Sequence, residues 1–386
     1  MLRKSIKILI PAILGAAALA GCSSASGGSA TTAQAGSTTS LQQREISAAE
    51  KFVAAAEQPP TQITLTTPLP SAPPKGKTIV WLSCGDVSAT CPIIGAAIQS
   101  AAQAAGWTYK QINFDQTNPA TLTTAFEKAL QLHPAAVAEL GTPPTAGWSS
   151  VIPAYEAAGV PIIASYLGAT QTSDKGIIAN VGGPADRETS AVRVAEWFIA
   201  NSHAQGHAIL ESVNAFPVLQ LWASQFAATV KANCSACTVT DLQNTISDVA
   251  NNSIVSSIVP DLQRNPADTY LISSDLEFLD QLPSALSAAG LKGKVQVAGA
   301  TPDTAGLADV KDGVFAAATP LAISYSGYLM ADVAFRYVMH LPIPAADQGA
   351  LPGQLLTPGT PFTVSESYNK PADYVAQVER LWHIGS

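Results

Sequence analysis

The chain has 386 residues, of which 47% are hydrophobic and 12% are charged, and its formal net charge is −8. A chain of this length and apolar content predicts two folded domains with substantial cores. The acidic balance lacks the basic footprint that nucleic-acid-binding proteins need, so no nucleic-acid partner is expected.

The first residues have the composition of a secretory leader. Three basic residues precede an apolar stretch from Ile8 to Ala20, which is too short to span a bilayer as a helix. The run Leu19-Ala20-Gly21-Cys22 resembles the lipobox of bacterial lipoproteins, in which the cysteine becomes the lipidated first residue. We expect residues 1–21 to be a lipoprotein signal peptide and lipid on Cys22 to anchor an exported protein, either at the outer face of the cell membrane or in the periplasm. A transmembrane anchor, or a chance cysteine in an ordinary leader, is the alternative.

Residues 22–76 separate the leader from the globular body. Residues 23–40 are almost entirely Ser, Gly, Ala and Thr, which is typical of a flexible tether. Residues 44–58 have the pattern of a short helix. The six prolines between Pro59 and Pro74 predict a stiff spacer or a strap over the fold.

From residue 77 onward, short apolar runs alternate with amphipathic segments, which predicts βαβ units and a parallel sheet. In the first half we expect strands at 78–82, 108–114, 135–140 and 161–164, and helices at 92–105, 119–132 and 148–158. In the second half we expect strands at 176–181, 207–212, 267–273, 295–299 and 313–318, and helices at 185–202, 219–231, 247–263, 279–289, 325–339 and 371–382. Two similar α/β halves in series predict a bilobal protein.

Four further cysteines are even in number, which favours disulfides in an exported chain. The simplest pairing is local, Cys84 with Cys91 and Cys234 with Cys237. The second pair also has the C-x-x-C spacing of redox and zinc sites, but no histidine lies nearby at ligand spacing. We expect structural disulfides, with free thiols and redox or metal chemistry as alternatives.

Several segments resemble one known family when they are taken in order. Residues 112–132, 135–138 and 157–163 resemble the first lobe of type I periplasmic binding proteins, the ribose-binding-protein-like solute receptors of ABC transporters. Residues 297–303, 310–313 and 317–319 resemble the end of the second lobe, and the likeness covers roughly residues 77–341. It implies two doubly wound parallel-sheet lobes joined by a three-segment hinge. No helix-turn-helix segment precedes the body, which disfavours the related transcription repressors.

The resemblance also implies lobe boundaries. The N-terminal lobe would comprise residues 77–166 and 321–342, and the C-terminal lobe residues 167–320 and 343–386. The three hinge crossings would lie near 166–180, 319–322 and 341–356. Ligands of open parallel sheets bind outside the carboxyl ends of the strands, so the loops after each strand are the candidate site.

Most residues that the family's sugar binders use are replaced here. The first loop, residues 84–91, has no aromatic residue, Gly141-Thr142 replaces an expected Asp, and Trp222 lies about where an Arg belongs. We therefore expect either a sugar, as in the family, or a less hydroxylated or aromatic ligand, since a sugar hydroxyl that is buried without a partner is costly. We expect stacking by Tyr166, Phe216 and Trp222 and orientation by polar residues; these are Asp86, Thr142, Asn214, Ser274, Asp275 and Asp303.

These residues also have structural interpretations. Trp222 and Phe216 have the spacing of core residues, Asp86 lies in what could be an exposed loop, and Asp275 and Asp303 are placed to cap helices. The five histidines are scattered, and no H-E-x-x-H, G-x-S-x-G, phosphate-loop or G-x-G-x-x-G motif occurs. We therefore expect no enzyme activity, no catalytic residues, no metal and no cofactor.

The sequence thus predicts a monomeric, lipid-anchored solute-binding protein that captures a small molecule in an interlobe cleft and delivers it to an ABC-type permease. A ligand-sensing receptor for a signalling partner is the main alternative. An exported enzyme on the same scaffold is the other.

Overall fold

The computed structural model describes residues 32–85, 88, 90–116, 118–141, 144–169, 172–365 and 368–384. Its first element is helix α1, Thr32–Ala56. Among these described residues, no helix combines the length and the apolar character that a membrane crossing requires.

The first lobe is built on a parallel sheet of five strands. They are β1 (Thr78–Ser83), β2 (Thr108–Asn113), β3 (Ala136–Glu139), β4 (Ile162–Ser165) and β5 (Ile177–Val181), in the order β2-β1-β3-β4-β5. Its helices are α2 (Thr90–Ala104), α3 (Pro119–Leu130) and α4 (Ile152–Ala158), together with the later α11 (Ile323–Val338). The central strands are buried along nearly their whole length, which explains their continuously apolar sequences.

The second lobe repeats this plan. Its strands are β6 (His207–Val213), β7 (Thr238–Asn244), β8 (Tyr270–Ser273), β9 (Gln296–Ala300) and β10 (Ala317–Thr319), in the order β10-β9-β8-β6-β7. Its helices are α5 (Pro184–Asn201), α6 (Pro217–Asn233), α7 (Ile246–Ala250), α8 (Ile254–Arg264), α9 (Leu282–Ala288) and α10 (Thr304–Lys311), and the last helix of the chain is α12 (Tyr374–Leu381). The second sheet therefore has the strand order of the first, and the predicted α/β architecture of two parallel-sheet lobes is confirmed.

Local signals in the sequence account for several element ends. Asn118 caps α3, because its side chain accepts a hydrogen bond from the backbone N–H of Ala120, and Pro119 follows at the first helical position. Helix α4 is capped by Gly159, whose φ of 66° lies in the left-handed region that glycine tolerates best. Such caps fix where each helix stops and hence where the loops begin.

The segment before β1 contacts both lobes. In the part of α1 from residue 42 onward, Gln42 donates to the carbonyl of His203 and Ala49 is buried in the second-lobe core. The Pro-rich segment then follows the first lobe, where the backbone N–H of Leu65 donates to Tyr325 Oη at 2.9 Å and Leu69 is buried. Residues 59–74 therefore form a strap over the fold.

Two lobe boundaries differ from the prediction. Strand β5 lies in the first sheet, paired in parallel with β4, so the first lobe extends to Val181 rather than ending at residue 166. Helix α12 packs on α11 of the first lobe, where Trp382 stacks on Tyr328 with ring centroids 5.8 Å apart and its indole donates to Asp332. Sequence pattern shows that a strand or helix exists, but not which of two similar sheets it joins.

Three crossings connect the two sheets, the number that the resemblance implied, but the first lies after β5 rather than at residues 166–180. Residues 182–183 join β5 to α5, residues 320–322 join β10 to α11, and the chain after α11 returns to the second lobe, where Leu356 pairs with Ala318. Two further connections lie outside the sheets, one after α1 and one before α12.

Candidate functional site

A cavity of about 650 Å³ lies between the carboxyl ends of the two sheets. First-lobe residues that line it are Ser88, Thr90, Gln116, Leu140 and Tyr166. Second-lobe residues that line it are Arg187, Phe216, Val218, Leu219, Ile246, Asp248, Val249, Ala250, Asn252, Ile254, Val255, Asp275, Glu277, Phe278, Asp280 and Gln281. Its volume is in the range of small-molecule sites, and it lies where doubly wound sheets bind ligands. We call this cavity the cleft.

Arg187 is the one cation among the described residues that line the cleft. It lies in the first turn of α5, directly after the crossing from β5, and only 5% of it is exposed. Its Nη1 donates to Thr301 Oγ1 at 2.9 Å, and its guanidinium carbon lies 5.3 Å from the centre of the Tyr166 ring. Arg187 is therefore held in place by one contact from each lobe, with its Nε unpaired within the described structure.

Two carboxyl groups follow β8 beside Arg187. Asp275 Oδ1 accepts from the backbone N–H of Glu277 and so shapes the turn after the strand. Burial raises the pKa of Glu277 to about 7, although the hydrogen bond from Ser88 and the charge of Arg187 lower it. Burial, and next the charge of Glu277, raises the pKa of Asp275 well above its ordinary value. The nearby hydrogen bonds and the charge of Arg187 thus do not fully offset the cost of burying either acid in its ionised form.

A hydrogen bond joins the two lobes across the cleft. Ser88 Oγ of the first lobe donates to Glu277 Oε1 of the second lobe at 2.8 Å. Ser88 lies in the ring closed by the disulfide between Cys84 and Cys91, where its carbonyl accepts from the backbone N–H of Cys91. The expected local disulfide therefore has a positional consequence, since it holds the loop that supplies this interlobe contact.

The other expected disulfide, between Cys234 and Cys237, is also present. It joins the end of α6 to the start of β7, at the edge of the sheet opposite the cleft. Among the described residues, no group of three or more His, Cys, Asp or Glu side chains is arranged to hold a metal ion. The C-x-x-C pair is thus a connection within the second lobe.

Buried glutamates support the loops beneath the cleft in both lobes. Glu139, at the end of β3, accepts from the backbone N–H of Gly141 at 2.5 Å, and burial raises its pKa to about 8. Gly141 has a φ of 80°, and a Cβ there would lie 2.3 Å from the carbonyl oxygen of Ser165. Glu211, at the end of β6, accepts from Ser273 and Asn244, and burial raises its pKa to about 7.

The structure brings together three of the predicted binding residues, since Tyr166, Phe216 and Asp275 all line the cleft. Asn214 is exposed and Ser274 is fully buried, and neither is among the lining residues. Asp303 caps α10, because its side chain accepts from the backbone N–H of Gly306 at 2.8 Å. Asp86, Thr142 and the proposed lipidation site Cys22 lie outside the described residues.

Trp222 is a correction to the sequence prediction. Its side chain is completely buried in the second-lobe core, stacked on Phe226 with ring centroids 5.7 Å apart. Its indole N–H donates to Ser190 Oγ at 3.0 Å, so its one polar group is already satisfied. The core-packing alternative therefore describes this residue, because α6 turns Trp222 toward α5 instead of toward the cleft.

Sequence reasoning missed most polar residues of the cleft, among them Ser88, Arg187 and Glu277. Glu277 lies in the loop after β8 that the strand pattern had already identified. Arg187 carried a weaker signal, which was its position in the first turn of a helix directly after a lobe crossing. The apolar residues contributed by α7 and α8 had none, because an apolar helix face reads the same beside a cavity as beside a core.

Several solved structures that share this fold are of transport proteins. An ABC sugar transporter subunit from Rhodobacter sphaeroides 2.4.1 is 17% identical with a TM-score of 0.63, over 73% of this chain and 98% of that chain. A Burkholderia graminis C4D1M ABC transporter solute-binding protein in complex with D-arabinose is also 17% identical, with a TM-score of 0.63, over 73% and 96% of the two chains. A third, from Bradyrhizobium sp. BTAi1 with bound Bis-Tris, is 15% identical with a TM-score of 0.61, over 83% and 89%.

These comparisons confirm the expected fold, that of type I periplasmic binding proteins. At such identities the likeness concerns the fold alone. No protein-family profile matches the chain, and no curated protein matches it in sequence.

Proposed function

We propose that this protein is an exported solute-binding protein, which captures a small organic molecule in the cleft and delivers it to an ABC-type permease. The observation that carries the proposal is the cleft itself, a cavity of about 650 Å³ whose walls come from both lobes. The contact between Ser88 and Glu277 supports closure of the lobes around an occupant, since it forms only when the two lobes approach. The solute-binding proteins of the same fold make a transport role the natural use of such a cleft.

The location of the protein is part of the proposal. The sequence before the described residues resembles a lipoprotein leader ending at Cys22, and lipid on that cysteine would keep the protein near its permease. Stable attachment would need two or more acyl chains, because a single chain binds membranes only weakly. The protein would then act as a monomer at the outer face of the cell membrane or in the periplasm.

The occupant is proposed to be a sugar or a less polar molecule. The Burkholderia protein holds D-arabinose and the Bradyrhizobium protein holds Bis-Tris, so this fold accommodates both polyols and amines. Here, Phe216, Leu219 and Phe278 give the cleft an apolar component that a fully hydroxylated sugar would not satisfy. A ligand with an apolar face therefore fits better than a simple pentose.

A thermal-shift screen tests this function. Sugars, polyols, nucleosides, amines and aromatic acids are each added to the purified protein, because a compound at ~100 times its dissociation constant stabilises the folded state by ~2.7 kcal/mol. Val255→Trp should fill part of the cleft and abolish the shift, whereas Val314→Trp, at an exposed position outside the lining, should retain it. A shift of the same size in both variants would place binding outside the cleft and contradict the proposal.

A further inference from the structure

Carboxyl groups outnumber cations in the cleft. The described charged residues that line it are four acids and one base: Asp248, Asp275, Glu277, Asp280 and Arg187. The five described lining residues of the first lobe carry no charge. When these carboxyl groups are ionised, the charge of the lining is therefore negative, and it comes entirely from the second lobe.

Arg187 does not balance these acids. It lies close enough to Asp275 and Glu277 to lower the pKa of each, yet burial keeps both values raised. The charge of Glu277 adds to the rise at Asp275, and the charges of Asp303 and Asp280 add to the rise at Glu277. At the rim, hydrogen bonds from Thr245 and Ser253 lower the pKa of Asp248, so this group stays ionised. A second positive charge inside the cavity would stabilise the ionised forms of the buried pair.

Arg187 also has an unused donor. Its Nε has no hydrogen-bond acceptor among the described residues. Only 5% of Arg187 is exposed, so the residue is almost fully buried, and it lines the cavity. A buried donor without an acceptor is costly, so a molecule that fills the cleft should bring an oxygen to this position. The need for an acceptor at Arg187 does not depend on the acidic residues. It indicates that the cleft binds a ligand and that its charges are more than a solvated surface.

Part of the wall of the cleft is apolar. Phe216, Leu219, Ile254 and Phe278 line it, and none of them offers a hydrogen bond from its side chain. A sugar with hydroxyl groups on every carbon would leave several of them unpaired against this wall. An aromatic or aliphatic skeleton instead gains by burying its apolar face there.

We propose that the cleft binds an amphiphilic organic cation, with an ammonium group beside Asp275 and Glu277, a hydroxyl or carbonyl oxygen beside Arg187, and an apolar body against Phe216 and Phe278. This inference rests on the proposed function and names the class of its ligand. It separates the ligand from neutral sugars by charge, not by size.

Three probes of similar size and different charge test the inference. They are 2-amino-1-phenylethanol, which is a cation, 1-phenyl-1,2-ethanediol, which is neutral, and mandelate, which is an anion; D-arabinose serves as a neutral polyol. Isothermal titration should show the cation binding about tenfold or more tightly than the diol, with mandelate and D-arabinose weakest. Glu277→Gln keeps an acceptor for Ser88 and should remove most of this preference, whereas Asp312→Asn, which lies outside the lining, should leave it unchanged.

Each result decides the matter. Tighter binding of the diol, mandelate or D-arabinose than of the cation overturns the inference and leaves the proposed function standing. A preference for the cation that survives undiminished in Glu277→Gln also overturns it, because Glu277 would then not contribute to the preference. If no probe binds, the inference is overturned, and the proposed function is then decided separately by whether any compound of the wider screen shifts the wild-type protein but not Val255→Trp.

Discussion

Substitution of Glu139 by glutamine should change how the stability of the protein depends on pH. Burial raises the pKa of Glu139 from an ordinary value of 4.5 to about 8, and its carboxyl group accepts a hydrogen bond from the backbone N–H of Gly141. The folded state therefore holds a proton that the unfolded state has already released. The stability from this group is complete below the unfolded-state pKa and is lost as the pH rises through the folded-state pKa.

The expected size follows from linkage. Between the unfolded-state and folded-state pKa values, a single group changes the free energy of unfolding by ~1.4 kcal/mol per pH unit. The ionisation of Glu139 should therefore lower the free energy of unfolding of the wild type by roughly 3 kcal/mol between about pH 5 and about pH 7. Glutamine has nearly the same shape and can accept from Gly141, but it does not ionise. Glu139→Gln should therefore become more stable than the wild type as the pH rises, by an amount that stops growing above about pH 8.

Urea denaturation at a series of pH values measures this difference. Glu127→Gln is a matched control, because Glu127 is exposed on α3 in the same lobe. The stability of both variants should still depend on pH to some extent, since burial also raises the pKa of Glu211 and of Glu277 to about 7. A stability difference between Glu139→Gln and the wild type that does not vary with pH would refute the reasoning.

The remaining predictions concern Trp222 and the two disulfides. Trp222→Phe should lower the free energy of unfolding by about 1–3 kcal/mol, because it removes a buried hydrogen bond and some core volume. Titration should show that its affinity for any compound found in the screen is unchanged. A loss of affinity would indicate that Trp222 contacts the ligand after all. Replacing Cys84 and Cys91 by serine should cost about 2 kcal/mol of stability and also weaken binding, since Ser88 loses its ring. Replacing Cys234 and Cys237 by serine should affect stability alone, and equal effects of the two pairs on affinity would contradict the role given to Ser88.

Much of the fold could be predicted because its signals are local. The central strands are apolar along nearly their whole length, the helices carry one apolar face, and residues such as Asn118 and Gly159 mark helix ends. Strand β5 shows the limit of such signals. Its sequence identified it as a strand, but its partner β4 is a long-range choice between two sheets with similar edges.

The binding residues were harder to predict for the same reason. Tyr166, Phe216 and Asp275 were found because they follow strands, and strand ends meet at one edge of a parallel sheet. Trp222 was misplaced, because which face of α6 turns to the core depends on how α5 packs against it. Arg187 and Glu277 lie far apart in sequence, and only the packing of α5 beside the turn after β8 brings them together.

The central claim is that a small molecule occupies the space between the two lobes. Native mass spectrometry of the protein purified from an exporting host tests it most directly, with Val255→Trp and Val314→Trp measured alongside the wild type. The account predicts a bound small molecule that is released on denaturation from the wild type and Val314→Trp but is absent from Val255→Trp. Retention of the same molecule by Val255→Trp, or no bound molecule in the wild type together with no stabilising compound in the screen, would contradict it.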